Sequence, residues 1–267
     1  MKPPEPGRPL RFVSAASLFD GHDAAINMIR RLLQSGGAEV VHLGHNRSVA
    51  DIVRAAIAED ADAIAVSSYQ GGHNEYFRYM IDMLRQQGAA HIKVVVGGGG
   101  TISPAEIAAL QAYGVSRIYT PEDGRRLGLK GMIDDVFARV ARTPEAPQSG
   151  IPALDDPGAI ARAITLLEGG GAPDGAEADD LRRALTHRLS AAAPGASQAP
   201  VIGLTGTGGA GKSSLNDELL QRFIRAFPER RIAVVAIDPT RRRSGGALLG
   251  DRIRMNSLAA PYSAVMT

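Results

Sequence analysis

No cysteine and no tryptophan occur among the 267 residues. The first absence excludes disulfides and thiolate metal sites. Aromatic residues make up only 4% of the chain, so aliphatic side chains must build the core. No apolar run approaches the length of about 18 residues that a membrane-crossing helix needs. The opening Met1-Lys2-Pro3-Pro4-Glu5-Pro6 lacks the apolar centre of a signal peptide. These absences together lead us to expect a cytoplasmic protein with no membrane partner. An excess of one charge sign is missing too. Lys and Arg number 30 against 28 Asp and Glu, a net +2, too balanced to argue for a nucleic-acid partner. No His-x-x-x-His pair or other His cluster suggests zinc.

What is present is a hydrophobic content of 44%, ample for a soluble core, over a length that suggests two compact units. After an N-terminal extension, 1–9, residues 10–140 alternate between short apolar runs and amphipathic stretches. The pattern predicts strands near 10–16, 39–43, 63–68, 92–97 and 117–120, with helices near 23–35, 48–58, 73–87, 103–113 and 126–140. Five such units read as an α/β fold, a doubly wound parallel sheet of flavodoxin type. Ser103-Pro104-Ala105-Glu106 has the form of a capping box with proline in the first turn. Residues 141–199 read as a helical linker with helices near 156–168 and 177–191; a solvated tether is the alternative. A new strand, Val201–Thr205, and a helix, Ser214–Phe227, then open a second α/β unit over 200–267, with Leu215, Leu219, Leu220 and Phe223 on one helical face.

Chemistry concentrates where strands end. Asp20-Gly21-His22-Asp23 lies between the first strand and the first helix, where an open α/β sheet binds its ligands. A metal-ligating imidazole usually gives its second ring N–H to a carboxylate, and Asp20 and His22 are suited to that pairing. A surface Asp near a surface His is the plainer reading of so short a motif. Ser67-Ser68-Tyr69 ends the third strand, and Gly97 to Gly100 end the fourth. Among the other histidines, His45 reads first as a satisfied loop histidine, with a place on the same rim as the alternative. His73 reads either as a helix-start residue or as a contact on that rim.

This set resembles the cobalamin-binding domain of the adenosylcobalamin-dependent acyl-CoA mutases, whose pattern is Asp-x-His-x-x-Gly, then Ser-x-Leu, then Gly-Gly. Here Ala25 stands in place of the family's Gly and Tyr69 in place of its Leu. The resemblance implies that His22 is the lower axial ligand to cobalt, displacing the cofactor's own benzimidazole. It also implies that Asp20, Gly21, Ser67, Tyr69, Gly97 and Gly98 contact the cofactor. The freed nucleotide tail would thread between the sheet and the first helix.

Gly206-Thr207-Gly208-Gly209-Ala210-Gly211-Lys212-Ser213 satisfies the phosphate-loop pattern, with a predicted strand before it and a predicted helix after it. Glycine-rich backbone amides and a helix N-terminus wrap phosphates. Lys212 would reach the outer phosphates, and the Ser213 hydroxyl would ligate Mg2+. A chance match in a glycine-rich chain is the rival reading, which the flanking elements disfavour. Asp238, at the end of the next apolar run, and Asp251 are further Mg2+ candidates. This half resembles the GTPase chaperones that service acyl-CoA mutases, through 206–214, Asp238-Pro239-Thr240 and 244–255. That resemblance implies that Ser213, Asp238 and Asp251 hold Mg2+ with the Ile237 carbonyl nearby. It also implies that Gly209, Ala210, Gly211, Lys212, Ser213, Ser214 and Arg254 contact GTP, with Lys212 in the catalytic role.

Both halves in this order resemble the fused acyl-CoA mutases that interconvert isobutyryl-CoA and n-butyryl-CoA. The chain then reads as the N-terminal part of such a protein, a homodimer when complete, which meets its acyl-CoA only through a barrel outside these residues. Two rivals stay open: a stand-alone nucleotide-driven cobalamin carrier, and a flavodoxin-like sensor without cobalamin joined to an ATP-binding domain.

Overall fold

The computed structural model describes residues 8–21, 23–98, 100–140, 151, 153, 156–170, 176–190, 200–230, 232–235 and 263–266. His22, Ile237, Asp238, Asp251 and Arg254 lie outside the described residues.

The first unit runs β1 (Arg11–Ala16), α1 (Asp23–Ser35), β2 (Glu39–His42), α2 (Val49–Ala58), β3 (Ala63–Ser67), α3 (His73–Gln86), β4 (Lys93–Gly97), α4 (Pro104–Tyr113), β5 (Arg117–Ile118) and α5 (Pro121–Val140). The strands pair in parallel in the order β2-β1-β3-β4-β5, the flavodoxin-like arrangement. All six residues of β1 and all five of β3 are buried. That is why these runs are apolar without alternation: helices cover both faces of a parallel sheet. On one face Val13, Ile64, Val66, Val94 and Val96 pack with Ile52 and Val53 of α2, Phe77 and Met80 of α3, and Leu110 of α4. On the other, Phe12, Val40, Ala65 and Val95 pack with Leu33 of α1 and Ile133 and Val136 of α5. Helices therefore change face between α1 and α2, which puts the topological switch where β1 and β3 lie side by side.

Two boundaries differ from expectation. Helix α5 starts at Pro121, not near 126, and breaks at Gly128, where φ is 64°. Its first turn is closed by Thr120 and Asp123, each of whose side chains accepts from the other's amide. The segment 201–205 is not a strand. Strand character comes from a ladder, and no described residue pairs with it; Val201 and Ile202 are exposed.

Beyond α5, α6 (Pro157–Thr165) runs into a π-helical turn, Leu166–Gly170, and α7 (Ala176–Ser190) follows. These helices are packed. Ala163 and Leu166 bury against Ala178 and Leu181, and Arg182 donates to the Leu167 carbonyl at 2.9 Å. The α6 segment is also pinned to the sheet. Arg11, at the amino end of β1, bonds Glu39 at 2.9 Å, the Glu59 carbonyl at 2.7 Å and the Thr165 hydroxyl at 3.3 Å. Glu168 of the π-helical turn lies 3.9 Å from the same guanidinium. R11M removes the donors that serve the buried Glu59 carbonyl and Thr165 hydroxyl and is expected to cost about 2–3 kcal/mol in chemical denaturation. Hydrogen exchange should then speed up in α6 first, with the sheet remaining protected. Helix α8 (Lys212–Ala226) and the parallel pair β6 (Ile232–Val235) and β7 (Ser263–Met266) complete the described elements.

Candidate functional site

The carboxyl ends of β1, β3 and β4 come together, and with them Asp20, Ser67, Tyr69, Gly97 and Gly98. Strand register sets Ala16 beside Ser67 and Ser67 beside Gly97. By the two-residue alternation of a strand, these three share the α1/α5 face with Ser14 and Ala65. Toward the amino end the same face carries Phe12, Val40 and Val95. The face thus loses bulk toward its carboxyl edge. Ser67 Oγ is buried there with no hydrogen-bond partner among the described residues. A buried hydroxyl left unpaired costs free energy, so its position suits a polar group arriving from outside the chain.

The loops above are fastened to one another. Asp20 is only 2% exposed, and its Oδ2 accepts from the Tyr69 amide at 2.8 Å. Ser17 Oγ donates to Ser68 Oγ at 3.0 Å. Gly98 is required where it stands. Its φ is +95°, and a Cβ would come within 2.2 Å of the Ser68 carbonyl oxygen. Gly97 and Gly21 have nothing within 4 Å of a built Cβ, so the backbone at both is open to close approach. Tyr69 is half-exposed on the rim, and Phe19, next to Asp20 in the chain, is exposed with a left-handed backbone, φ 64°.

His73, the first residue of α3, is buried and does not line the rim surface. Its Nδ1 donates to the Gln70 carbonyl at 3.2 Å, and its Nε2 lies 3.4 Å from Glu106 Oε1. Glu106 caps α4 through Ser103 and also accepts from Asn74 at 2.9 Å. Bonds from the Ser103 hydroxyl and amide, then from Asn74, hold its carboxyl at about 2. Sequence spacing exposed the capping box but gave no sign that it reaches His73, because the contact crosses from α3 to α4.

In the second segment Lys212 opens α8, and Ser213 and Ser214 continue its first turn. The Lys212 ammonium folds over the loop and donates to the Gly206 and Thr207 carbonyls, both at 2.8 Å. Gly209 and Gly211 hold φ of 78° and 79°, which turns the loop about the helix N-terminus. Gly209, Ala210 and Gly211 are exposed, so their backbone is free to meet an anion at the positive end of α8. On α8, Leu220 is buried with Val234 and Ile232, but Leu215, Leu219 and Phe223 are exposed rather than forming a covered face. Among the described residues, no group of three or more His, Asp or Glu stands together to hold a metal ion. No described helix is long and apolar enough to cross a membrane.

Comparison with known proteins agrees with this division. The B12 binding domain family matches residues 10–124. The pivalyl-CoA mutase small subunit of Xanthobacter autotrophicus is 36% identical over 118 residues, covering 44% of this chain and 78% of that subunit. The chain belongs to the B12-binding family of coenzyme A mutase components. More particularly, it is similar along nearly its whole length to the fused isobutyryl-CoA mutases. That of Cupriavidus metallidurans is 56% identical over 269 residues, covering 97% of this chain and 24% of that protein. That of Geobacillus kaustophilus is 53% identical over 264 residues, covering 96% of this chain and 24% of that protein. The chain therefore spans about a quarter of the length of these relatives. Residues 160–266 match the family described as methylmalonyl-CoA mutase-associated GTPase MeaB.

Proposed function

We propose that this chain is the cobalamin-binding and GTPase-chaperone portion of an adenosylcobalamin-dependent acyl-CoA mutase that interconverts isobutyryl-CoA and n-butyryl-CoA. The observation that carries the reading is the unpaired, buried Ser67 Oγ beside the glycine cradle of Gly97 and Gly98. When bound, adenosylcobalamin supplies a cobalt–carbon bond whose homolysis starts radical chemistry. The chain's own residues bind and orient it. His22 would hold the cobalt through its imidazole, and Asp20 would fix the loop that carries His22. Ser67, Gly97 and Gly98 would hold the rest of the cofactor, with Gly21 and Tyr69 at the rim.

The module is 10–140, followed by a connector, 141–199, and a nucleotide segment, 200–267. In that segment Gly209, Ala210, Gly211, Lys212, Ser213 and Ser214 hold the phosphates of GTP. Ser213, Asp238, Asp251 and the Ile237 carbonyl serve Mg2+, and Arg254 touches the nucleotide. The acyl-CoA is held by parts of the mutase outside these residues, and the complete enzyme is a cytoplasmic homodimer that binds no nucleic acid.

The test is cobalamin titration of the chain and of H22A, with electron paramagnetic resonance of the cob(II)alamin form after 15N-histidine labelling. Wild type is expected to show protein-nitrogen coupling in place of benzimidazole coupling. H22A is expected to lose that coupling and to bind at least about tenfold more weakly. An unchanged nitrogen pattern in H22A refutes the axial assignment.

A further inference from the structure

We propose that His73 is a positioning residue for the cobalamin site, acting as the clamp that fixes the β3–α3 loop under Asp20; this rests on the cobalamin reading above. The loop is Ser68-Tyr69-Gln70-Gly71-Gly72. Two consecutive glycines give it more backbone freedom than any other pair of residues would, and a Cβ on Gly71 meets nothing within 4 Å. Yet the loop carries the amide that holds the buried Asp20 carboxylate. Something must fix it from the other side.

His73 does so from within the α3 end of the core. His73 is only 5% exposed. Nδ1–H holds the carbonyl of Gln70, the residue after Tyr69, while Nε2 lies 3.4 Å from Glu106 Oε1 without a hydrogen bond among the described residues. Glu106 is itself immobilised by the Ser103 cap and by Asn74. A path of hydrogen bonds and backbone therefore runs from His73 to the Gln70 carbonyl, back along Gln70 and Tyr69 to the Tyr69 amide, and on to Asp20. Asp20 stands two residues before the proposed axial ligand. Groups that orient a metal ligand from outside its coordination sphere change affinity without touching the metal.

The experiment uses the whole chain and the variants H73A and H73N. Asparagine keeps a side-chain N–H donor where Nδ1 stands, whereas alanine keeps none. Hydrogen exchange at the Tyr69 amide of the cobalamin-free chain reads the clamp directly. Spectral titration with adenosylcobalamin reads its consequence, and thermal melting reports on folding. In H73A, exchange at Tyr69 is expected to rise and cobalamin affinity to fall about tenfold. H73N should recover most of both. Unchanged Tyr69 exchange in a folded H73A overturns the clamp, and so does an H73N that behaves like H73A. If wild type binds no cobalamin while Tyr69 exchange still responds to H73A and recovers in H73N, the clamp stands and the cobalamin reading falls.

Discussion

G98A is expected to lower the melting temperature of the chain by about 10 °C and to abolish measurable cobalamin binding. The residue combines two demands that only glycine meets. Its φ of +95° lies in the left-handed region, and a Cβ would meet Ser68 O at 2.2 Å and Ser68 C at 2.9 Å. Both are backbone atoms, so no side chain can swing away. Backbone strain of about 1–3 kcal/mol adds to a comparable cost of about 1–3 kcal/mol for overpacking. A total of about 3 kcal/mol or more corresponds to that shift in a domain of this size. Relief of the clash must part the ends of β3 and β4, where Ser68 N donates to Gly97 O at 3.1 Å. G97A is the matched comparison. The free chain has nothing within 4 Å of that Cβ, so its stability should change by no more than about 0.5–1 kcal/mol. Its cofactor affinity should fall, because the methyl occupies the face on which the nucleotide tail would lie. Calorimetry with spectral titration separates the two. Equal melting temperatures for G98A and wild type would show that the rim is not held as the structure shows.

K212A is expected to weaken Mg2+-nucleotide binding about 100-fold and to leave stability nearly unchanged. The ammonium makes its bonds to exposed loop carbonyls, which water can satisfy once the lysine is gone. A bound nucleotide has no such substitute, since charge-assisted bonds to phosphate contribute about 1.5–3 kcal/mol each. Fluorescence titration with a labelled guanine nucleotide at several ionic strengths gives the measurement. The wild-type advantage should shrink as salt rises. Equal affinity in K212A would remove the phosphate assignment of 206–213.

Much of the sheet could be read from the chain, because buried parallel strands announce themselves as unbroken apolar runs and amphipathic helices lie between them. Ser103-Pro104-Ala105-Glu106 was legible as a capping box. Thr120-Pro121-Glu122-Asp123 carries the same device with the shorter aspartate, and counting it would have set the start of α5. Contacts across the sheet were not legible. Asp20 beside His22 suggests a partner along the chain; spacing gave no sign of the Tyr69 amide, 49 residues away, which donates to Asp20 as well. Arg11 and Thr165 are 154 residues apart, and neither belongs to a motif. On α8, spacing told which apolar residues share a face but not whether anything covers them; Leu215, Leu219 and Phe223 remain open.

The Arg11 clamp bears on how far the nucleotide segment can stray. With α6 fastened to β1 and α7 packed on α6, the packed part of the first unit extends to Ser190, not only to Val140. Ten peptide steps reach Pro200, and at about 3.6 Å for each extended residue they cover no more than about 36 Å. So short a separation along the chain keeps two linked partners at an effective concentration in the millimolar range. A weak, transient encounter between the phosphate-loop segment and the cobalamin module would then be frequent at any dilution of the protein. Severing the chain between 191 and 199 should make the same encounter depend on concentration.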